Sequence, residues 1–219
     1  MTTEIQQQID QIATDVMQQQ GLVFDTIAEA ERYKSGIVQK LDESVQLAQT
    51  HFFEGLHLLR HVEQHFVKAT VNDLLAHRTS PAEINNRLAA ILRKEPRAEE
   101  YFCDAVNSFF DCGDFHREQC VLTVLLALFP TSPQAFVYFA TLFWRQYGIA
   151  TAITFYNQCV DVFQDPLLDY FAAECFKENG DLERAKALNA RALATLEALP
   201  PESSSELTLH LQALVKQRF

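Results

Sequence analysis

Apolar positions in the C-terminal half of the chain recur at steps of three and four, the spacing of one helix face. The stretch Asp165–Ala185, DPLLDYFAAECFKENGDLERA, shows it best. Asp165-Pro166 opens a helix, because the carboxylate accepts an orphan N–H and proline is pre-set for the first turn. Asn179-Gly180-Asp181 closes it, glycine tolerating the left-handed conformation that a helix end needs. Leu182, Ala185, Leu188 and Ala192 then form the apolar, small-residue face of a second helix. Ala172, Ala173 and Ala185 stand where two such helices would cross closely.

Two earlier stretches repeat the arrangement. The first has a helix A from Ala98 to Asp111 with Tyr101, Phe102, Ala105, Val106, Phe109 and Phe110, and turns at Cys112-Gly113-Asp114-Phe115. Its helix B runs through Cys120, Leu122, Val124, Leu125 and Leu128 to Phe129-Pro130. The second starts at Ser132-Pro133, carries Phe136, Phe139, Ala140, Phe143 and Trp144, and turns at Tyr147-Gly148. Its helix B holds Ala152, Ile153, Tyr156, Cys159, Val160 and Val162. Gly113, Gly148 and Gly180 are 35 and 32 residues apart, and Ala152 and Ala185 are 33 apart. These spacings bracket the period of about 34 of a tetratricopeptide repeat, a unit that must stack on copies of itself to bury its apolar face. The first two units carry one extra residue before the turn glycine, which leaves their helix phase open by one position. The first also has Arg117 and Glu118 near where a small residue is expected.

Upstream, Ile5, Ile9, Ile12 and Val16 give one face to a helix over Glu4–Gln20, ended by Gly21. Residues 23–77 read as helix, either one long or two broken near Gly36 or Gly55. Val38, Leu41, Val45, Ala48, Phe52, Gly55, Leu59, Val62 and Phe66 form a heptad-like seam. An amphipathic helix folding onto its own domain is the favoured reading of that seam, ahead of a dimerisation helix. Ser80-Pro81-Ala82-Glu83 is a capping box opening a helix with Ile84, Leu88, Ile91 and Leu92. Pro200–Ser205 reads as a linker before a final helix with Leu207, Leu211, Leu214 and Val215, the cap that a repeat array needs. The expectation is an all-α protein: an N-terminal helical region over 1–95, a superhelix of three tetratricopeptide repeats over 96–199, and a capping helix over 200–219.

Composition narrows the function. A net charge of −11 argues against a nucleic-acid partner, which would need clustered Lys and Arg. The five cysteines form no CxxC pair and read as small hydrophobes in a reducing compartment. The N-terminus lacks a basic and apolar leader, and no apolar run approaches the roughly 20 residues of a membrane span, so a cytoplasmic protein without membrane insertion is expected.

There is no phosphate loop, nucleophile elbow or metalloprotease motif, which points away from an enzyme. His57, His61 and His65 are spaced i, i+4, i+8 with His51 upstream, but no Cys or carboxylate stands at an obvious third-ligand position. A solvated polar face is the favoured reading, with no metal and no cofactor. The distinctive feature is aromatic: 17 Phe in the chain, many on the A helices, which line the concave surface of such a superhelix. Repeat phasing puts Val137, Thr141 and Trp144 of the second unit in that groove, with Tyr170, Glu174 and Lys177 of the third. In the first unit the groove positions fall among Phe102, Cys103, Val106, Phe109 and Phe110. A groove of this kind takes an extended peptide through pockets for its apolar side chains. A carboxylate clamp would need Lys, Arg and Asn together; Asn107 and Arg145 are present without a full set.

The phrase YFAAECFKENGDLERA, with Pro166, Ala172-Ala173-Glu174-Cys175, Gly180, Leu182 and Ala185, resembles the third repeat of the class II chaperones of bacterial type III secretion. FVYFATLFWRQYGIATAITFY is similar in outline to the second. The resemblance implies an all-helical, acidic, cytoplasmic and often dimeric chaperone that holds an extended segment of a hydrophobic translocator client in its groove. The chain departs from that family in carrying about a hundred residues before the first repeat, which allows a second binding surface. The alternative is a non-enzymatic adaptor that binds a folded partner through the N-terminal helices.

Overall fold

A computed structural model of the chain describes residues 3–19, 24, 26–76, 86–88, 90–91, 94–110, 113–200 and 206–218. Among them the structure is helical, with no strand. The chain divides into two compact units, Met1–His51 and Phe52–Phe219.

The first unit contains α1 (Thr3–Gln19) and the larger part of α2 (Ile27–Leu59). Ile9 and Ala13 of α1 are buried, while Val38, Leu41 and Val45 along the expected seam are half-buried and Ala48 is exposed. Gly21 and Val23, which bound the helices expected here, lie outside the described residues. Helix α2 runs unbroken past Gly36 and Gly55. The interruption falls instead between Leu59 and α3 (His65–Ala76). Gly55 stays helical because it is a contact point rather than a break: a Cβ there would run into the Cys120 carbonyl and come within 2.7 Å of Val124 Cγ2. Val62 therefore lies between helices and Phe66 on the next one, so the seam does not continue along a single helix.

In the second unit six helices form three successive hairpins: α4 (Ala98–Phe110) with α5 (Phe115–Leu128), α6 (Pro133–Tyr147) with α7 (Ile149–Phe163), and α8 (Pro166–Glu178) with α9 (Leu182–Glu197). Helix α10 (Glu206–Gln217) follows. All three turn glycines take positive φ, 66° at Gly113, 90° at Gly148 and 86° at Gly180. At Gly180 the geometry is a Schellman ending: the N–H of Asp181 donates to Phe176 O at 2.9 Å, and that of Gly180 to Lys177 O at 3.0 Å. The helix starts are capped by side chains. Ser132 Oγ accepts from Ala135 N at 3.1 Å, and Asp165 Oδ1 accepts from Leu167 N at 2.8 Å. An Asp165→Ala variant is expected to lose about 1 kcal/mol of stability, read from denaturant unfolding. The extra residue of the second hairpin is absorbed in α6, leaving Gly148 as its entire turn. The expected capping box Ser80–Glu83, Ile84, Leu92, Cys112 and residues 201–205 lie outside the described residues, as does the side chain of Leu207.

The small residues expected where two helices cross, Ala172, Ala173 and Ala185, are fully buried, as are Ala140, Ala152 and Ala192. Packing continues across Glu95-Pro96, because Leu56, Leu59, Val67, Val71 and Leu74 share one core with Phe102, Val106 and Leu125. A second core joins the second and third hairpins, and a third seats Leu211 and Val215 of α10 against Ala192 and Leu196.

Two buried carboxylates tie the stack together. Glu118, at the position where a small residue was expected, is fully buried and accepts from Arg145 Nη1 of the next hairpin at 3.0 and 3.2 Å. Asp169, also fully buried, accepts from Arg191 Nη2 at 2.6 Å and Nε at 2.8 Å. Burial raises the Glu118 carboxyl above its ordinary 4.5, with Arg145 opposing the shift. A carboxyl raised on folding holds its proton to higher pH in the folded chain than in the unfolded one. Its contribution is therefore full below 4.5 and is lost as pH rises through the folded value. Unfolding midpoints across that range should decline with pH, and a Glu118→Gln variant should lack this part of the decline.

Candidate functional site

The peptide-binding positions expected from repeat phasing separate into three groups. Phe102 and Val106 are fully buried and Val137 nearly so, each within the core beneath the A helices. Phe109, Phe110, Thr141, Tyr170 and Glu174 are half-buried. Trp144, 38% exposed, and Lys177 reach the surface.

The half-buried group has internal partners. Phe109 lines a cleft of ≈ 620 Å³ with Leu58, Val62, Asp104, Ser108 and Arg117. Phe110 lies 5.1 Å from the Tyr138 ring, and its carbonyl accepts from Arg145 Nη1 at 3.2 Å. The Thr141 hydroxyl donates to Val137 O at 2.8 Å, which leaves mainly its methyl for a neighbour. Tyr170 and Glu174 are engaged by Arg218, whose guanidinium stacks 3.6 Å from the Tyr170 ring centroid. Arg218 Nη1 donates to Tyr170 O at 2.6 Å and Nε pairs with Glu174 at 2.5 Å. Only 3% of the Arg218 side chain is exposed. Nothing in the spacing of the repeats signals this contact, since Arg218 lies beyond the last of them.

A further cleft, ≈ 230 Å³, crosses the first turns of all three A helices at Glu99, Gln134 and Leu167. Leu196, Leu199 and Leu211 close its other side. Helical register connects it to the expected positions: Glu99 and Val106, Gln134 and Thr141, and Leu167 and Glu174 are each seven residues apart and share a face. The first-turn residues were not among the expected set. The signal for them was the recurring cap-plus-proline start, which marks equivalent positions in the second and third hairpins.

Most of the aromatic content serves packing. On α6 and α7 the rings form a connected set: Phe136 to Phe163 at 4.6 Å, Phe143 to Phe155 at 5.4 Å, and Phe139 to Phe143 at 5.5 Å. Tyr147 ends it at the surface, 6.2 Å from Phe143.

Cys103, Cys120, Cys159 and Cys175 are buried and unbridged. Burial pushes the thiols of Cys103 and Cys175 up to about 12, so they stay protonated at neutral pH. His57, His61 and His65 do not share a helix: His57 lies in the last turn of α2, His61 follows it, and His65 opens α3. The ladder expected from their spacing is broken because the chain turns after Leu59. No helix among the described residues is long and apolar enough to cross a membrane.

No family model matches this chain, and no curated protein matches it. Among solved structures it is similar to the type III secretion translocator chaperone SycD of Yersinia enterocolitica, with a TM-score of 0.42 and 18% sequence identity. That similarity spans 59% of this chain and 96% of SycD.

Proposed function

We propose that the three hairpins are tetratricopeptide repeats and that the protein is a non-enzymatic, cytoplasmic chaperone. In this reading the A-helix face holds an extended, apolar segment of a secreted, translocator-type client and keeps it soluble and competent for secretion. The observation that carries it is the cleft touching equivalent first turns of all three A helices, on the faces that also bear Thr141 and Glu174. A segment laid across it would meet Leu167, Leu196 and Leu211 and, further along the A helices, Trp144. Covering the client's apolar side chains removes the exposure that drives aggregation, and the charge of −11 keeps the complex dispersed. Co-expression with a hydrophobic translocator should give a soluble complex. Trp144→Ala and Tyr170→Ala should each weaken it by about 1–3 kcal/mol, measured by calorimetry. Unchanged affinity in both would remove the groove from the account.

A second reading, an adaptor that docks a folded partner or a second copy of itself, is favoured by the first unit, where Ile12, Ile27 and Leu47 are exposed. Removing residues 1–51 separates the two. Residues 52–95 must stay, because Leu56, Leu59, Val67 and Val71 belong to the core of the hairpins. Retained client binding in the shortened chain supports the chaperone; its loss supports the adaptor.

A further inference from the structure

One side-chain cluster is absorbed neither by the groove nor by the stacking of the hairpins. Glu54 in the last turns of α2 meets His116 and Cys120 of α5, which are spaced i, i+4 and so share one helix face. His116 Nε2 lies 2.8 Å from Glu54 Oε2, Cys120 Sγ donates to the same oxygen at 3.4 Å, and Sγ is 3.7 Å from His116 Nε2. One nitrogen, one oxygen and one sulfur thus form a triangle at the crossing of two helices. The crossing is held by the backbone, because at Gly55 the two helices approach too closely to admit a Cβ.

We propose that Glu54, His116 and Cys120 form a binding site for a zinc-class divalent cation. Zinc bonds of about 2.0–2.3 Å to N, O and S, arranged tetrahedrally, place ligand atoms roughly 3.3–3.6 Å apart. The three observed separations match that triangle to within about half an ångström, so binding needs only rotamer-scale adjustment. The donor set suits a borderline-soft ion, since thiolate and imidazole select against magnesium and calcium. Access is asymmetric: the His116 side chain is 62% exposed and that of Glu54 47%, while Cys120 is fully buried beneath them. Without a cation, burial and the Glu54 carboxylate push the Cys120 thiol up to about 12, and its proton is shared with that carboxylate. On binding, Sγ gives this proton to solvent and its lone pair to the metal, so the cation takes the place of the hydrogen in the same contact. The site would pin α2 to the first hairpin, and it is independent of the groove.

The test is titration of the full chain, under reducing conditions, with cobalt(II) as a spectroscopic stand-in for zinc. The expected result is one equivalent bound, with the intense thiolate-to-cobalt charge-transfer absorption, abolished by one equivalent of zinc and absent in Cys120→Ser. Because Cys120 is a core residue, His116→Gln serves as a second variant at an exposed position, expected to weaken cobalt and zinc affinity at least tenfold. No charge-transfer band at saturating cobalt overturns the site. So does a band that persists in Cys120→Ser, unchanged affinity in His116→Gln, or binding without a thiolate band, which would place the metal on surface histidines.

Discussion

Replacing Arg191 with alanine is expected to cost about 3 kcal/mol of stability, the low end of the usual penalty for stranding one member of a buried ion pair. Asp169 is fully buried and takes two hydrogen bonds from the Arg191 guanidinium, which also donates to Val160 O at 2.8 Å. The guanidinium thus joins the A and B helices of the third hairpin to the end of the second. Truncation leaves a carboxylate in the core and an unmet carbonyl beside it. The low end applies because the arginine is itself a third exposed, so water partly replaces it. For a domain of this size the melting temperature should fall by about 6–12 °C. The paired change Asp169→Leu with Arg191→Leu removes both charges and should recover most of the loss, because a buried pair contributes little beyond an apolar pair of similar volume. If the double variant is as unstable as Arg191→Ala, the loss is one of packing rather than of charge.

Gly55→Ala is expected to reverse the usual sign of its substitution. In a free helix the change favours folding by about 1 kcal/mol. Here the new methyl would overlap the carbonyl of Cys120, which belongs to a helix backbone and cannot rotate away. Overpacking of this kind costs about 1–3 kcal/mol, and the backbone obstacle puts the net loss toward the upper part of that range. Gly36, with nothing within 4 Å of the corresponding position, is the control: Gly36→Ala should be neutral or stabilising. Thermal melts should place Gly55→Ala below the parent chain and Gly36→Ala at or above it. A Gly55→Ala protein as stable as Gly36→Ala would mean that α2 and α5 do not cross as closely as described.

The contrast between these two glycines shows what a sequence can carry. Gly113, Gly148 and Gly180 were legible because a turn glycine works locally, between a cap on one side and an alanine face on the other. Gly55 has the same composition signal, and spacing alone marks it as a weakness in a helix. Its actual role depends on a partner helix 65 residues away in the chain. The buried charges follow the same logic. Glu118 stood out as an irregularity in the first hairpin, but its reason is Arg145, on the next helix and 27 residues on. Nothing periodic identifies such a partner. For the proposed groove, spacing speaks only of helix faces: Trp144 and Lys177 reach the surface, and the first-turn cleft shares faces with Thr141 and Glu174. It says nothing of depth. Phe102, Val106 and Val137 sit on A helices as expected, yet they point into the core, since a face identified by spacing alone does not say whether it meets a neighbouring helix or a groove. Nor could repeat spacing foresee Arg218, which engages Tyr170 and Glu174 from beyond the repeats.

Trp144 is the single tryptophan of the chain, and it stands partly exposed at the end of the proposed binding face. Its fluorescence therefore reports on that face alone. Titrating the full chain with a synthetic extended segment of a co-purifying client should shift the emission to shorter wavelength and saturate at one segment per chain, as the indole loses water to an apolar side chain. A segment that binds by calorimetry while the Trp144 emission stays unchanged, and that binds Trp144→Ala equally well, would contradict the account.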